Sequence, residues 1–170
     1  MNQEAIKERL VSAFGAEVIQ GAVLFADQMA VTVVKDKILD VCRFLKTDPD
    51  LAFDLLSFVG GVDRHPASPR FEVVYQLYSM RHKHRFRIKA MVEEEQEGLG
   101  TIDSVVELWP TASWHERETA EMFGIEFTGH PDPRKLLLPE EWYVYPLRKD
   151  FPVEGTEDTP DLPAAQIREG

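Results

Sequence analysis

The sequence predicts an α/β (α+β) fold, with a mixed or antiparallel sheet covered by helices and an extended proline-rich arm at the C-terminal end. Three observations carry this. Phe71, Val73, Tyr75 and Leu77 alternate with other residues, as do Phe86, Ile88, Ala90 and Val92, which is the period of strands with one buried face. Ile6, Leu10 and Phe14 recur at helical spacing, and so do Ile38, Val41, Cys42 and Leu45. Seven of the 11 prolines fall in the last 40 residues, where the periodic pattern ends. The expected division is an α/β domain over 1–128 and an interaction arm over 129–170.

Taken in order, residues 3–14 are predicted helical, with Gly15 as the stop. Residues 18–25 and 29–34 read as strands joined by a turn at Asp27-Gln28. Asp36 is suited to cap a second helix, which Thr47-Asp48-Pro49-Asp50 breaks, because proline lacks a donor and pushes its predecessor out of the helical region. Cys42 lies on that helix's apolar stripe and reads as a small core residue. Residues 51–59 are apolar, open to either helix or strand, and end at Gly60-Gly61. A turn over 81–84 joins the two alternating strands, pairs Leu77 with Ile88 and Val73 with Val92, and leaves Arg85, Arg87 and Lys89 beside Gln76 and Tyr78 on the other face. Residues 93–97 form an acidic loop closed by Gly98 and Gly100, and 101–108 are predicted as a further helix ended by Pro110.

A chain of 170 residues with 44% hydrophobic content can bury one ordinary core. Its formal net charge of −11 opposes nucleic acid as the main partner, since phosphate binding needs a basic surface. The basic run 81–89 is read as a solvated strand face, better matched to an acidic protein or to the chain's own 93–97 loop. No apolar run reaches the roughly 20 residues that cross a bilayer, and MNQEAIKERL lacks a charged-then-apolar leader pattern. The expectation is a cytoplasmic chain with no direct membrane insertion. The single cysteine is too few for an internal disulfide, a structural zinc site or an iron–sulfur cluster, which takes about four thiolates.

The run 109–151 is the densest mixture of charge, proline and bulky apolar residues, and it holds all three tryptophans. Ser113 and Glu116 have capping-box spacing, and Gly124 is suited to a left-handed stop, so a short helix is predicted between them. No face of that helix is cleanly apolar, as expected at a polar interface. Ile125 to Gly129 alternates, and Pro131 and Pro133 stiffen the segment that presents His130 and Arg134. The leucines at 136–138, with Pro139, read as an apolar anchor.

Glu116-Arg117-Glu118, two residues, Glu121-Met122-Phe123, six residues, His130, three residues, Arg134 and then Leu136-Leu137 resemble the signature of the 30-kDa (C) subunit of respiratory complex I, the proton-pumping NADH–quinone oxidoreductase. Leu147-Arg148-Lys149-Asp150-Phe151-Pro152 resembles the family's downstream motif. The resemblance is close over 109–152 and looser back to about Leu51; Pro133, Lys135 and Val144-Tyr145 depart from the common pattern. It implies a cofactor-free structural subunit of the peripheral arm, with FMN and iron–sulfur clusters held by other subunits. The implied partners are the large subunit that shapes the quinone pocket and its small iron–sulfur neighbour, on the cytoplasmic side of the inner membrane. The alternative is the equivalent subunit of a related membrane-bound hydrogenase or ferredoxin-dependent dehydrogenase.

The residues themselves suit contact more than chemistry. Glu116, Arg117, Glu118, Glu121, His130 and Arg134 are the expected interface in the signature, with Trp142, Arg148, Lys149 and Asp150 downstream. Guanidinium groups suit bidentate carboxylate pairing, and Trp114, Trp142, Tyr143 and Tyr145 are aromatics of the kind enriched where proteins dock. A metal site from His115, Glu116, Glu118, Glu121 and His130 is disfavoured, because Thr119 stands where an H-E-x-x-H zinc helix needs its second histidine. Acid–base catalysis by the glutamates lacks any substrate-holding motif, and no G-x-G-x-x-G follows a strand to bind flavin or nicotinamide. The remaining rivals are a small metalloenzyme and a free-standing module for an acidic protein target. The stretch after Pro139 is expected to be proteolytically soft until docked.

Overall fold

The computed structural model of the chain describes residues 2–26, 28–95 and 98–155. Helix α1 (Gln3–Phe14) begins at Asn2, whose side chain accepts from the Ala5 N–H at 2.8 Å, and ends at Gly15. Strands β1 (Ile19–Phe25) and β2 (Gln28–Val33) form the first hairpin; Asp27, half of the predicted turn, lies outside the described residues. Helix α2 (Ile38–Thr47) buries Ile38, Val41, Cys42 and Leu45, as its stripe predicts. Asp36 does not cap it: residues 35–37 form a tight 3-10 turn that runs straight into the helix without a side-chain cap.

The ambiguous stretch resolves as coil followed by strand. Leu51 and Phe53 are fully buried before β3 (Leu55–Asp63) begins, and β3 runs through Gly60-Gly61 instead of ending there. Strands β4 (Phe71–Ser79) and β5 (His84–Val92) make the predicted hairpin, with each apolar set on the expected face. Its register differs by two residues: Leu77 pairs with Phe86 and Val73 with Ala90, because Ser79 pairs with His84 and closes the turn sooner. A slip of two keeps every side chain on its face, so the core is unaffected.

The five-stranded sheet has the order β1-β2-β5-β4-β3, antiparallel except where β2 and β5 run parallel, so it is mixed. One face joins α1 and α2 in a continuous apolar core that includes Tyr75, Leu77, Phe86 and Ile88. The other face carries the basic stripe, but its charges are largely engaged. Lys89 pairs with Glu72 at 2.7 Å, and Arg87 donates to Gln76 and Gln28.

Residues 101–108 are not a helix. Strand β6 (Gly100–Asp103) pairs in parallel with β7 (Ile125–Thr128), and helix α3 (Ala112–Phe123) connects them. Ile102, Val105 and Leu108 are all buried, which explains the helix-like spacing, but a strand followed by a turn delivers them. Backbone pairing with β7 outweighs the local preference. Gly124, between α3 and β7, adopts φ +71°, a left-handed conformation that glycine takes without steric cost. Helix α3 packs along β3, where the Phe123 ring lies against Gly61; a Cβ there would sit 2.6 Å from the ring.

Beyond Thr128 the described chain has no helix or strand, yet it does not lie free of the domain. Leu147 N–H donates to the Met122 carbonyl at 3.2 Å, and Lys149 N–H donates to Asp63 at 2.8 Å. Residues 156–170, the remainder of the expected arm, lie outside the described residues, as do Gln96 and Glu97 of the acidic loop.

Candidate functional site

Helix α3 begins at Ala112, one residue before the predicted cap, and no side chain caps it. Glu116 therefore makes no capping box. It turns inward, fully buried, and accepts from Ser104 Oγ at 2.6 Å and from the Val105 N–H at 2.8 Å. Those bonds tie the helix to the end of β6. Burial raises the Glu116 carboxyl to about 7, and the two hydrogen bonds only partly offset it. Cys42 and Tyr75 lie in the same interior, where burial pushes both well up, with the Glu116 charge adding to it. The Tyr75 hydroxyl is buried without a hydrogen-bond partner among the described residues.

The other signature residues bind the chain's own backbone. Glu121, buried on α3, accepts from the N–H groups of Leu136, Leu137 and Leu138 at 2.9–3.2 Å. The anchor at 136–138 is thus made by main-chain donors: Leu137 itself is 62% exposed. Arg117 donates to the carbonyls of Arg134 and Lys135 at 2.6 and 2.8 Å, and its side chain is only 14% exposed. His130 lies between two main-chain groups. Nδ1 accepts from the Asp132 N–H at 3.0 Å while Nε2 is 3.1 Å from the Ser113 carbonyl, which together require the proton on Nε2. Arg134 points outward and closes a bidentate pair with Asp132, holding that carboxyl well below the usual range.

A second cluster gathers the downstream motif. Arg148 donates to the Phe123 carbonyl at the end of α3 and to the Gly98 carbonyl, with its guanidinium 4.3 Å from the Tyr145 ring. Donation to a terminal helix carbonyl satisfies a group the helix itself leaves open. Arg70, 7% exposed at its side chain, binds Asp63 through two parallel bonds at 3.1 and 3.0 Å and also reaches Glu94 and Asp150 at 2.7 Å. Burial pushes the Asp63 carboxyl up, but Arg70 and the N–H groups of Lys149 and His65 outweigh it and hold the group far below the ordinary range. Lys149 takes part through its backbone and Asp150 through its carboxylate.

Of the expected interface residues, then, Arg117, Glu121 and His130 join α3 to the segment after β7, Glu116 joins α3 to the end of β6, and Arg148, Lys149 and Asp150 gather near Arg70 and Asp63. Glu118 stands apart, exposed on α3. Trp142 also stands apart, half-buried, with its ring N–H unpartnered among the described residues and its carbonyl receiving Lys135 Nζ. Sequence reading missed Asp63, Arg70 and Ser104: no local spacing marks them, and Glu94, Lys149 and Asp150 reach the Asp63–Arg70 pair from far along the chain. Among the described residues, no group of three or more His, Cys, Asp or Glu is placed to hold a metal ion. What the arrangement does is lock α3, β6 and residues 129–151 into one block. The surface left over includes Trp114 (64% exposed), Tyr143 (82%) and Leu147 (56%).

Residues 31–157 match the family described as respiratory-chain NADH dehydrogenase, 30 Kd subunit. The C 2 subunit of the NADH-quinone oxidoreductase of Rhizobium meliloti (strain 1021) is 46% identical over 129 residues, covering 76% of this chain and 69% of that one. The C subunit of the NADH-quinone oxidoreductase of Roseiflexus sp. (strain RS-1) is 42% identical over 157 residues, covering 92% and 88%. Among solved structures, a chain of the membrane-bound sulfane sulfur reductase, an archaeal respiratory membrane complex, is similar with a TM-score of 0.67. That match covers 88% of this chain and 85% of the other at 23% identity, so the likeness is one of fold.

Proposed function

The chain belongs to the 30-kDa subunit family of the respiratory-chain NADH dehydrogenase, which is the family of the C subunit of NADH-quinone oxidoreductase (complex I), and from that membership we propose that it works as a cofactor-free bracing subunit. In this reading it sits in the peripheral arm, on the cytoplasmic side of the inner membrane. It holds the large quinone-pocket subunit against the small iron–sulfur subunit, while FMN and the clusters belong to other chains. Electrons pass from NADH to quinone without touching this one. Its contribution is rigidity, because tunnelling and quinone access depend steeply on distance.

One observation supports this above the rest. Most charged residues of the signature, Glu118 and Arg134 apart, are spent on fixing the chain's own backbone, and aromatic and apolar side chains are left facing outward. Such rigid, pre-arranged surface loses little entropy on docking. No helix among the described residues is long and apolar enough to cross a membrane, so attachment through other subunits is the consistent route.

The test is affinity purification of the tagged chain from gently solubilised membranes. Iron–sulfur subunits and NADH-to-quinone activity are expected to elute with it. Elution alone, or with a complex that does not oxidise NADH, would overturn the reading.

A further inference from the structure

Two shallow grooves meet on β3 and share Phe58, Gly60 and Gly61 as their floor. One, of about 370 Å³, opens onto the uncovered face of the sheet toward Val62 and Arg87. The other, of about 180 Å³, runs against α3 between Glu118, Met122 and Leu147. The glycines create the room: a Cβ on Gly60 would run into the Phe58 ring, and one on Gly61 into Phe123. The walls are apolar and accessible, with Phe58 48%, Val62 42% and Leu147 56% exposed.

The charges at the two ends differ in kind. Arg87 is already bonded to Gln76 and Gln28. Glu118 is not: Glu116 and Glu121 on the same helix are committed to internal donors, whereas Glu118 has no hydrogen bond or ion pair among the described residues. An exposed, uncommitted carboxylate beside an apolar groove matches a cation flanked by apolar side chains. On a chain of net charge −11, an acidic segment would be repelled.

We propose that this groove receives a segment of a neighbouring protein of the complex, one with a lysine or arginine flanked by apolar residues, with the cation on Glu118 and the apolar side chains over Phe58, Met122 and Leu147. The surface rests on the bracing role above; its β3 floor lies outside the signature, while Glu118, Met122 and Leu147 come from the signature and its downstream motif.

The test uses the assembled complex. With p-benzoylphenylalanine at Val62, irradiation should cross-link the chain to another subunit, at a peptide that contains lysine or arginine. In parallel, Glu118→Lys should lower recovery of partner subunits on the tagged chain about tenfold, and Glu118→Gln by less, as expected for replacing attraction by repulsion at a docked charge. Thermal melting of the free Glu118→Lys chain should match the unsubstituted protein, which separates docking from folding. A cross-link to a second copy of this chain, no cross-link in an intact complex, or undiminished recovery with Glu118→Lys would overturn the groove. If the unsubstituted chain recovers no iron–sulfur subunits, the bracing role fails instead.

Discussion

Replacing Glu116 by glutamine should keep the fold and remove a loss of stability that the native chain suffers as pH rises. The glutamine amide can accept from Val105 N–H and donate to Ser104 Oγ, so the tie between α3 and β6 survives. The native carboxyl is raised from 4.5 to about 7 by burial. Between those two values the folded chain binds a proton that the unfolded chain has released, so stability falls as pH climbs through the window and then levels off. At 1.36 kcal/mol per unit, the full effect is about 3 kcal/mol. Urea unfolding of the free chain, followed by circular dichroism from pH 5 to pH 8.5, reads it directly. The glutamine variant should differ little from the native chain near pH 5 and exceed it by roughly 2–3 kcal/mol near pH 8. Burial lowers the His84 imidazole as well, but that contribution is common to both proteins and cancels in the difference. Parallel stability curves for the two proteins would refute the assignment of Glu116 as a buried carboxyl without a charge partner.

Further expectations follow from the two clusters. Arg70→Ala strands the buried Asp63 carboxylate and should cost about 3–5 kcal/mol by urea midpoint, where a loss below about 1 kcal/mol would contradict the pairing. Because the Asp63 carboxyl is depressed, the stability it supplies is present above its ordinary value of 3.8 and is lost as pH falls, so Asp63→Asn should matter least in acid. Glu121→Ala should speed amide exchange at 136–138 selectively, since three N–H groups lose their acceptor; unchanged exchange there would show that something else holds the segment. Limited proteolysis of the free chain should spare 129–151, contrary to the expectation of a soft stretch after Pro139, because Arg148, Lys149 and Asp150 fasten it to the domain. Early cleavage near Tyr143 or Tyr145 would count against that fastening.

What could be read from the sequence was whatever depends on local period. The strand faces of β4 and β5, the stripe of α2 and the glycine stop of α3 each follow from spacing that a few neighbouring residues define. What could not be read was decided by partners far along the chain. Residues 101–103 became a strand because β7 pairs with them, and Glu116 left its capping role because Ser104 and Val105 offered buried donors. The hairpin register slipped by two because nothing in 80–83 announces where the turn closes. The site divided in the same way. The signature located the helix and the segment after it, but its spacing could not say that Arg117 and Glu121 bind their own main chain, nor that Asp63, Arg70 and Asp150 meet across the domain. The β3 floor of the uncommitted groove, Phe58 with Gly60 and Gly61, had no signature, since it arises where a strand meets a helix.

The bracing role stands or falls on where the redox groups reside. Iron and flavin should be measured on the purified chain and, side by side, on the complex isolated through its tag. The complex is predicted to carry both while the lone chain carries neither. Stoichiometric iron or flavin on the lone chain would contradict the account.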